Sequence, residues 1–466
     1  MSRLEAVYLR LPPWLQNAAI SLYGLSYRHE RLGGGYKKYV QKFVERDHWP
    51  SERMGDYLNT QLQFVLAHAF RNVPYYRAKW SSEGISEADL ARFTVEHLKQ
   101  LPIVPKIDLR NNPDSFVAED VRRNGRLHRY NSSGSSGTPV TCICSSEGHR
   151  AFIASREARS FGWAGTSIQA RRSMLGGRRI LAPGDGSPPF HRINWTEQQI
   201  YFSAYHLAER NIPYYVKALN DFRPQLMTGY AHSHFLLARL IRDQGLKITF
   251  QPKALVLSSE KLTAEMKETL LDVFHARAYE EYGSVENCVL ATECSEGSLH
   301  FQPDFGIPEI VDAQGSPVAI GEDGRLISTG LLNYAQPLIR YEIGDRACLS
   351  PEPCPCGRSH LPRVKEIVGR LEDVVVSPDG RQTVRFHWLY LGLPNVIEGQ
   401  IIQETLQSIR VKVVTTENFG AQDSQTIRDR LRKQLGDVTV TVEPVPELPR
   451  TERGKFRAVI SLLNKN

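Results

Sequence analysis

The middle of the chain alternates between helix-type and strand-type hydrophobic patterns, and this alternation constrains its fold most. Apolar residues recur at helical spacing over 235–241 and again over 266–274. Each stretch is followed by a short run typical of a buried strand, KALVLSS at 253–259 and RAYEEYG at 277–283. Helices and strands joined by short links predict an α/β fold.

The two ends of the chain have different patterns. The first hundred residues are predicted to be helical, as in the apolar stripe over 62–70 that Pro74 ends. In the last hundred, the alternating segments SIRVKVV and VTVTV predict strands on either side of a helix over 427–435. We therefore predict a large domain over 1–370 and a small, mobile α+β domain over 371–466.

Charge and cysteine content narrow the class of protein. The 466 residues carry a formal charge of +7 from 58 basic and 51 acidic residues, without a long basic block, which favours a mixed solvated surface over a nucleic-acid footprint. Seven cysteines, an odd number, argue against a secreted disulfide framework. Since the amino terminus shows no signal-peptide pattern, we expect a cytoplasmic protein. We also expect a monomer or homodimer that binds no nucleic acid.

The most apolar early stretch is LPPWLQNAAISLYGL at 11–25. It is too short and too polar to span a bilayer. Two interpretations stay open: a helix packed on the domain, which we favour, and a helix lying on a membrane surface.

A run of small residues, SSGSSGTPV, begins at position 132. Its backbone N–H groups and hydroxyls suit phosphate oxygens, and glycine lets the backbone approach them. A Walker-type loop ends in Gly-Lys-Ser/Thr, whereas this run ends in Gly-Thr-Pro, so it does not fit a standard P-loop NTPase. By itself the run is compatible with a phosphate-binding loop or a flexible linker. The candidate residues are Ser132, Ser133, Gly134, Ser135, Ser136, Gly137 and Thr138.

Four further segments carry polar residues in a fixed order. YEEYGSVE places Glu286 after a glycine turn at the end of a predicted strand, and IRYEIGDRA places Asp345 after another glycine, again beyond a strand. VGRLED pairs Arg370 with acidic residues at the predicted domain boundary, and LPRTERGKFR holds Lys455 in a polar, turn-like tail. Each residue alone is compatible with an ordinary turn or surface position, but the ordered set is more specific.

This ordered set resembles the adenylate-forming superfamily of acyl-CoA synthetases, and within it the phenylacetate–CoA ligase type. The likeness extends over nearly the whole chain, and NWTEQQIYFSAYHLAERN, PQLMTGYAHSHFLLARL and NVIEGQIIQETLQSIRV are similar to the CapK-like branch. The resemblance implies a large multi-layer α/β domain, a small C-terminal lid domain, and a cleft between them for nucleotide and acid.

The activity that the resemblance implies is an AMP-forming ligation. A carboxylate is a poor electrophile, and joining it to AMP supplies a good leaving group. ATP, Mg²⁺ and an organic acid would give an acyl-adenylate and pyrophosphate, mostly through positioning and charge neutralisation. CoA would then accept the acyl group. The alternatives are an amine or amino acid acceptor, an enzyme that stops at adenylate transfer, a zinc-stabilised non-catalytic binding protein, and a nucleic-acid binder.

The resemblance also implies roles for residues of the large domain. The run from Ser132 to Thr138 would hold the β- and γ-phosphates, and Glu286 would help to hold Mg²⁺. Tyr282 and Gly283 would lie against the adenine and the acyl carboxylate. Asp345 would accept hydrogen bonds from both ribose hydroxyls.

Three more residues are assigned at the domain boundary and on the small domain. Arg370 would approach the ribose and phosphates, and Glu372 would be the hinge residue, with a plain linker acid as the alternative. Lys455 would stabilise charge in the adenylation transition state. Thr138 is a departure, because many relatives carry a basic residue there. The arginines of RRNGRLHR (122–129) are either substitutes for it or part of a basic surface loop, which we favour.

Cysteine and histidine residues form a second pattern. Cys294 and His300 lie in ECSEGSLH, and Cys354 and Cys356 lie in PCPCG. These are the ligand types of a closed tetrahedral Zn²⁺ site, which the resemblance supports, although neither half has a standard zinc-finger spacing. The site would be structural and would join two loops of the large domain. The alternative is four solvent-facing loop residues.

The acyl pocket is less well defined. Aromatic and basic residues of the middle of the chain are candidates to line it, with plain core as the favoured alternative for the aromatic ones. A histidine or arginine there would favour a polar or second anionic group on the acid. The candidates are Trp163, Tyr230, His232, Phe190, His191 and Arg192.

Overall fold

Helices and strands alternate through most of the chain, as seen in a computed structural model. The described residues are 3–124, 127–131, 140–178, 180–181, 186–368, 375–383, 386, 389–390, 392–449 and 458–463. Within these ranges, no helix combines the length and the apolar character needed to cross a membrane.

The amino-terminal part is helical, as predicted. Val73 has extended backbone angles (φ −108°, ψ 111°), because the following proline disfavours a helical conformation, and so α4 ends at Asn72. The helices before the first strand are α1 Arg3–Arg10, α2 Pro13–Leu32, α3 Tyr36–Arg46, α4 Ser51–Asn72, α5 Pro74–Ser82, α6 Glu87–Leu90, α7 Lys106–Asn111 and α8 Glu119–Asn124.

The middle of the chain forms strands and helices in turn. The predicted strands at 253–259 and 277–283 are confirmed as β7 and β8, and the predicted helices at 235–241 and 266–274 as α11 and α12. The helices are α9 Ser146–Arg156, α10 Ile212–Phe222, α11 Ala231–Asp243 and α12 Ala264–Phe274. The strands are β1 Leu127–Asn131, β2 Thr141–Ser145, β3 Arg172–Gly176, β4 His191–Asn194, β5 Gln199–Ser203, β6 Leu226–Tyr230, β7 Ala254–Ser258, β8 Ala278–Gly283, β9 Leu290–Glu293, β10 Leu299–Phe301, β11 Gly306–Val311, β12 Asp323–Gly330, β13 Tyr341–Leu349 and β14 Arg363–Val368.

Twelve of these strands form one long mixed sheet in the order β11-β12-β13-β14-β10-β9-β8-β7-β6-β3-β5-β4. The run β5-β3-β6-β7-β8 is parallel, and the strands on either side of it pair antiparallel. The carboxyl ends of the five parallel strands therefore meet at one edge of the sheet, which is where open α/β sheets bind ligands.

The carboxyl-terminal residues form a separate sheet with its own core. Its order is β19-β18-β17-β20, and the apolar face of α13, with Ile427, Leu431 and Leu435, is fully buried in that core. The predicted strands and helix of this region are confirmed. The elements are β15 Val375–Val376, β16 Gln382–Thr383, β17 Val396–Gln403, β18 Ser408–Thr415, α13 Ala421–Leu435, β19 Thr439–Pro444 and β20 Val459–Ser461.

A buried ion-pair network joins the amino-terminal helices to the long sheet. Arg159, which is fully buried, donates to Asp47 and to Asp304, each at 2.6 Å, and Arg46 donates to Asp304 at 2.6 Å. Burial alone would raise the pKa of Asp304, but the two guanidinium groups lower it to about 2. These charges therefore remain paired over the whole neutral range.

Candidate active site

Three of the predicted site residues meet at the carboxyl edge of the parallel strands. Tyr282 lies at the end of β8, and its hydroxyl donates a hydrogen bond of 2.7 Å to Asp345 Oδ2. Glu286 follows in the turn after β8, where the Asn287 N–H donates to the Ser284 carbonyl at 3.1 Å. The structure thus brings together side chains that are more than fifty residues apart in the sequence.

Asp345 corrects one prediction about local structure. The sequence pattern placed it beyond a strand, whereas it lies inside β13. Gly344 has a φ of +91°, and the pairing of β12 with β13 shifts register between Arg325 and Ile327. A glycine bulge therefore bends the strand without ending it, and this bend directs the aspartate towards Tyr282.

A lysine that the sequence analysis missed completes this group. Lys106, the first residue of α7, places its Nζ 2.7 Å from Glu286 Oε1 and donates to the Ile343 carbonyl at 3.2 Å. Glu286 is almost fully buried, and the Tyr341 hydroxyl donates to the same oxygen at 3.3 Å. Lys106 and Glu286 are 180 residues apart, and a contact between two such distant residues produces no periodic pattern in the sequence.

We predict that Lys106→Met lowers the free energy of unfolding by about 3 kcal/mol, because it leaves the buried Glu286 carboxylate without its cation. The double variant Lys106→Met/Glu286→Gln should lose less, because it carries no charge at either position. Urea unfolding of both single variants and the double variant gives the coupling energy. Strictly additive losses would contradict the pairing.

The serine- and glycine-rich run lies outside the described residues, but the strands that flank it are described. Asn131 and Thr141 pair across β1 and β2, and the Thr141 hydroxyl donates to Asn131 Oδ1 at 3.1 Å. Burial raises the pKa of the Cys142 thiol most, and the negative charge of Glu286 raises it further. The positive charge of Lys106 offsets part of this rise. The strand that follows the run therefore lies within electrostatic reach of Glu286.

Several predicted site residues lie outside the described part of the chain. These are Ser132 to Thr138, Arg370, the hinge residue Glu372 and Lys455. Their roles stay predictions.

The arginines proposed as substitutes for a loop cation lie in a different setting. Arg122 and Arg129 both pair with Asp114, at 3.4 and 2.9 Å, and all three side chains are more than half exposed. This arrangement favours the basic surface loop. Lys106, in contrast, is paired with the predicted Mg²⁺ carboxylate.

A second, partly buried acid lies on the same strand as Tyr282. Burial, and next the Glu293 carboxylate, raises the pKa of Glu280 to about 7. Its backbone N–H donates to Glu293 at 2.8 Å, and Lys267 pairs with Glu293 at 2.7 Å. Glu280 therefore binds a proton in the folded state at pH values where the unfolded chain has lost it.

We predict that Glu280 makes the protein less stable as pH rises from about 4.5 to about 7. The folded state holds more protons than the unfolded state across this window, so stability falls with pH. Glu280→Gln removes the cost of ionising this side chain in the folded state, and it should therefore raise the free energy of unfolding by about 3 kcal/mol above pH ~7. Denaturant unfolding at a series of pH values tests this, with Glu268→Gln, an exposed glutamate on α12, as control. Equal pH profiles for the two variants would contradict the assignment.

The acyl-pocket candidates separate into two groups. Tyr230 is the last residue of β6, and the backbone N–H of His232 donates to Glu260 at 3.1 Å. Since β6 and β8 are parallel, both residues lie at the same edge of the sheet as Gly283. Phe190 is core, stacked on Tyr215.

Of the other three candidates, His191 lies at the same edge of the sheet, because it pairs with Phe202 near the carboxyl end of β5. His191 and Arg192 belong to β4, the last strand of the sheet, and Arg192 bonds to Gln16 of α2. Trp163 packs against His300 and under Arg358, which corrects its assignment to the acyl pocket. Trp163 is partly buried, and its indole N–H donates to Asp47 at 2.7 Å.

The predicted cysteine and histidine ligands form one cluster. One ligand atom from each of Cys294, His300, Cys354 and Cys356 lies within 4.8 Å of the others. Since β9 runs antiparallel to β8, the cluster lies at the end of these strands opposite to Gly283. Its position fits a structural site rather than a part of the reaction centre.

The spacing within the cluster fits a tetrahedral metal. Zn–S bonds of about 2.3 Å place two sulfurs about 3.8 Å apart at tetrahedral angles, and Cys294 Sγ lies 3.8 Å from Cys354 Sγ. Cys356 Sγ lies 3.5 Å from His300 Nε2, while His300 Nδ1 lies 3.1 Å from the Leu361 carbonyl, which orients the ring. Burial lowers the pKa of His300, which keeps the imidazole neutral and able to bind a metal.

Comparison with known proteins agrees with this geometry. Residues 376–462 match the family model of the CapK C-terminal domain. The chain is 26% identical to protein CapK of Staphylococcus aureus over 98% of this chain and 99% of that protein. It is 26% identical to a phenylacetate-coenzyme A ligase of Thermus thermophilus over 89% and 97% of the two chains.

Solved structures show the same fold. A 2-hydroxyisobutyryl-CoA ligase in complex with 2-HIB-AMP and CoA superposes with a TM-score of 0.59 at 20% identity, covering 89% of this chain and 91% of the other. This likeness establishes the large mixed α/β domain followed by a C-terminal domain. Together with the matches to protein CapK and to a phenylacetate-coenzyme A ligase over most of their lengths, this fold confirms that the chain resembles the phenylacetate–CoA ligase type of adenylate-forming protein and its CapK-like branch.

Proposed function

We propose that this protein is an ATP-dependent, AMP-forming ligase that adenylates an organic carboxylic acid and transfers the acyl group to CoA. The observation that carries the proposal is the arrangement at the carboxyl edge of the parallel strands, where Tyr282 bonds to Asp345 of β13 and Lys106 joins Glu286 to the Ile343 carbonyl of the same strand. The named ligase relatives support the same class of reaction.

The described residues suit the parts of an adenylation site. Asp345 is half-buried and held by Tyr282, so its carboxylate is oriented to accept hydrogen bonds from a ribose. Glu286 offers a buried carboxylate, which is a ligand type of Mg²⁺, and the metal would compete with Lys106 for its Oε1. Mg²⁺ would offset the charge of the phosphates. Tyr230 and His232 would line the acyl side of the same edge.

The predicted domain division is part of this proposal. A large domain over 1–370 would carry the nucleotide and acid sites, and a small domain over 371–466 would carry Lys455. Glu372 would be the hinge between them. Arg370 and the run from Ser132 to Thr138 would contact the ribose and phosphates.

We also propose that the cluster of Cys294, His300, Cys354 and Cys356 holds a structural Zn²⁺. Three sulfurs and one imidazole form a closed donor set with no position for water, which distinguishes a structural from a catalytic zinc. The metal would join the β9–β10 turn to the segment before β14.

A pyrophosphate-release screen over varied carboxylic acids tests the reaction. We expect release that needs ATP and Mg²⁺ with at least one class of acid, and an acyl-CoA product when CoA is added. Repeating the screen with amines tests the amide-forming alternative, which no comparison favours. Turnover unchanged by CoA and by every amine would reduce the assignment to an acid-adenylating enzyme, and no release with any acid would favour the non-catalytic binding protein.

A further inference from the structure

Helix α2 covers the free edge of the long sheet. Strand β4 is the last strand and pairs with β5 on one side only. On its other side, Asn17 Oδ1 accepts the Ile193 N–H and Ser21 Oγ accepts the Trp195 N–H, both at 3.0 Å. An edge strand presents unpaired backbone groups, and this helix satisfies them with side chains. The inner face of α2 is therefore polar for a structural reason.

The outer face of α2 carries several large apolar side chains, whereas an ordinary surface helix turns mostly polar residues towards solvent. Trp14, Leu22, Tyr23 and Leu25 are each exposed by more than half of their surface, with Leu22 at 71%. Trp195, directly after β4, is 57% exposed. We call these five residues the α2 patch. Large exposed apolar side chains concentrated on one helix and the adjoining strand end favour an interaction site.

The charges around the α2 patch favour an anionic partner. No acidic residue occurs from position 6 to 29, whereas Arg10 precedes the exposed face and Arg28 follows it. The next acid, Glu30, is paired with His128 and Ser146. Two copies of this face would bring like charges together, but anionic lipid headgroups carry the opposite charge.

We propose that the α2 patch binds the surface of an anionic lipid bilayer, with α2 lying in the plane of the interface. Tryptophan and tyrosine suit the headgroup region, where an apolar ring meets water. Arg10 would contact lipid phosphates, as would the N–H groups of Arg28 other than the one that donates to the Thr196 carbonyl. The long sheet would lie above the membrane. The sequence left this interpretation open; the exposed apolar side chains of the helix now favour it.

Co-sedimentation with vesicles tests the proposal. We expect the full chain to bind phosphatidylcholine vesicles that contain phosphatidylglycerol more strongly than pure phosphatidylcholine vesicles, and to lose binding as salt rises. The variant Trp14→Ser/Leu22→Ser/Leu25→Ser should bind at least about tenfold more weakly, because it removes most of the buried apolar area. Retained pyrophosphate release would show that the variant is folded; circular dichroism and thermal unfolding give that control independently of any activity.

A matched control uses apolar residues exposed elsewhere. Ile320→Ser/Leu271→Ser changes side chains that are 67% and 53% exposed and lie outside the α2 patch, and it should bind vesicles like the unchanged protein. Equal binding by both variants, or no binding to the anionic vesicles, would overturn the proposal. So would sedimentation equilibrium showing that the unchanged protein is a dimer and the triple variant a monomer, which would make the patch a contact between copies.

Discussion

Lys455→Ala should lower the rate of adenylation by roughly 10²–10³-fold while leaving the fold intact. A lysine that contacts the developing charge stabilises the transition state by several kcal/mol and does not stabilise the ground state to the same extent. Because the side chain would act only in the first step, pyrophosphate release should fall while conversion of a supplied acyl-adenylate to acyl-CoA is kept. The measurement is the rate of each half-reaction with purified variant.

The control for this prediction is Lys433→Ala. Lys433 is an exposed lysine on α13 of the same carboxyl-terminal region, and its loss should change neither half-reaction. Ordinary pyrophosphate release by Lys455→Ala would refute the assigned role. An equal fall in both half-reactions would indicate that the lysine acts on binding or folding and not on adenylation.

Loss of the Cys/His cluster should have the largest effect on stability. If one zinc is bound and the free metal is about a thousandfold above its Kd, binding stabilises the folded state by about 4 kcal/mol. Cys354→Ser/Cys356→Ser should therefore abolish zinc content and lower the free energy of unfolding by about that amount. Elemental analysis of the purified protein and urea unfolding with and without chelator measure the two effects.

Cys348→Ser is the matched control for the zinc variant. Cys348 is buried and donates to the Gly321 carbonyl at 3.1 Å, outside the cluster, so its replacement should keep the metal. Protein that contains no zinc and is insensitive to chelator would remove the metal assignment. In that case the four residues would be ordinary loop and strand residues, two of them buried and two partly exposed.

The elements that a sequence can predict are those whose pattern is local. Helices α11 and α12 and strands β7 and β8 follow from hydrophobic spacing, because each buries one face or both faces in a continuous core. The Cys/His cluster also follows from the sequence, since few other residue types suit a soft metal site. The likeness to ligases came from an ordered set of short segments and not from any one of them.

What the sequence did not predict depends on contacts between distant segments. Asp345 lies within a strand because a bulge at Gly344 lets pairing continue, and such bulges have no periodic pattern. The pairing of Lys106 with Glu286 and the packing of Trp163 on His300 arise only once the sheet has formed. Neither the composition of the sequence nor the spacing of its residues indicates which distant residues will pair.

The network around Arg159 makes the amino-terminal helices inseparable from the rest of the protein. Asp47 and Arg46 come from the first fifty residues, while Arg159 and Asp304 belong to the body that they would leave behind. A chain cut after position 50 would keep the Arg159–Asp304 pair but would remove Asp47 from Arg159 and Arg46 from Asp304, so each buried charge would lose one of its two charged partners. Proteolytic trimming at that point should therefore lower the free energy of unfolding of the remaining chain.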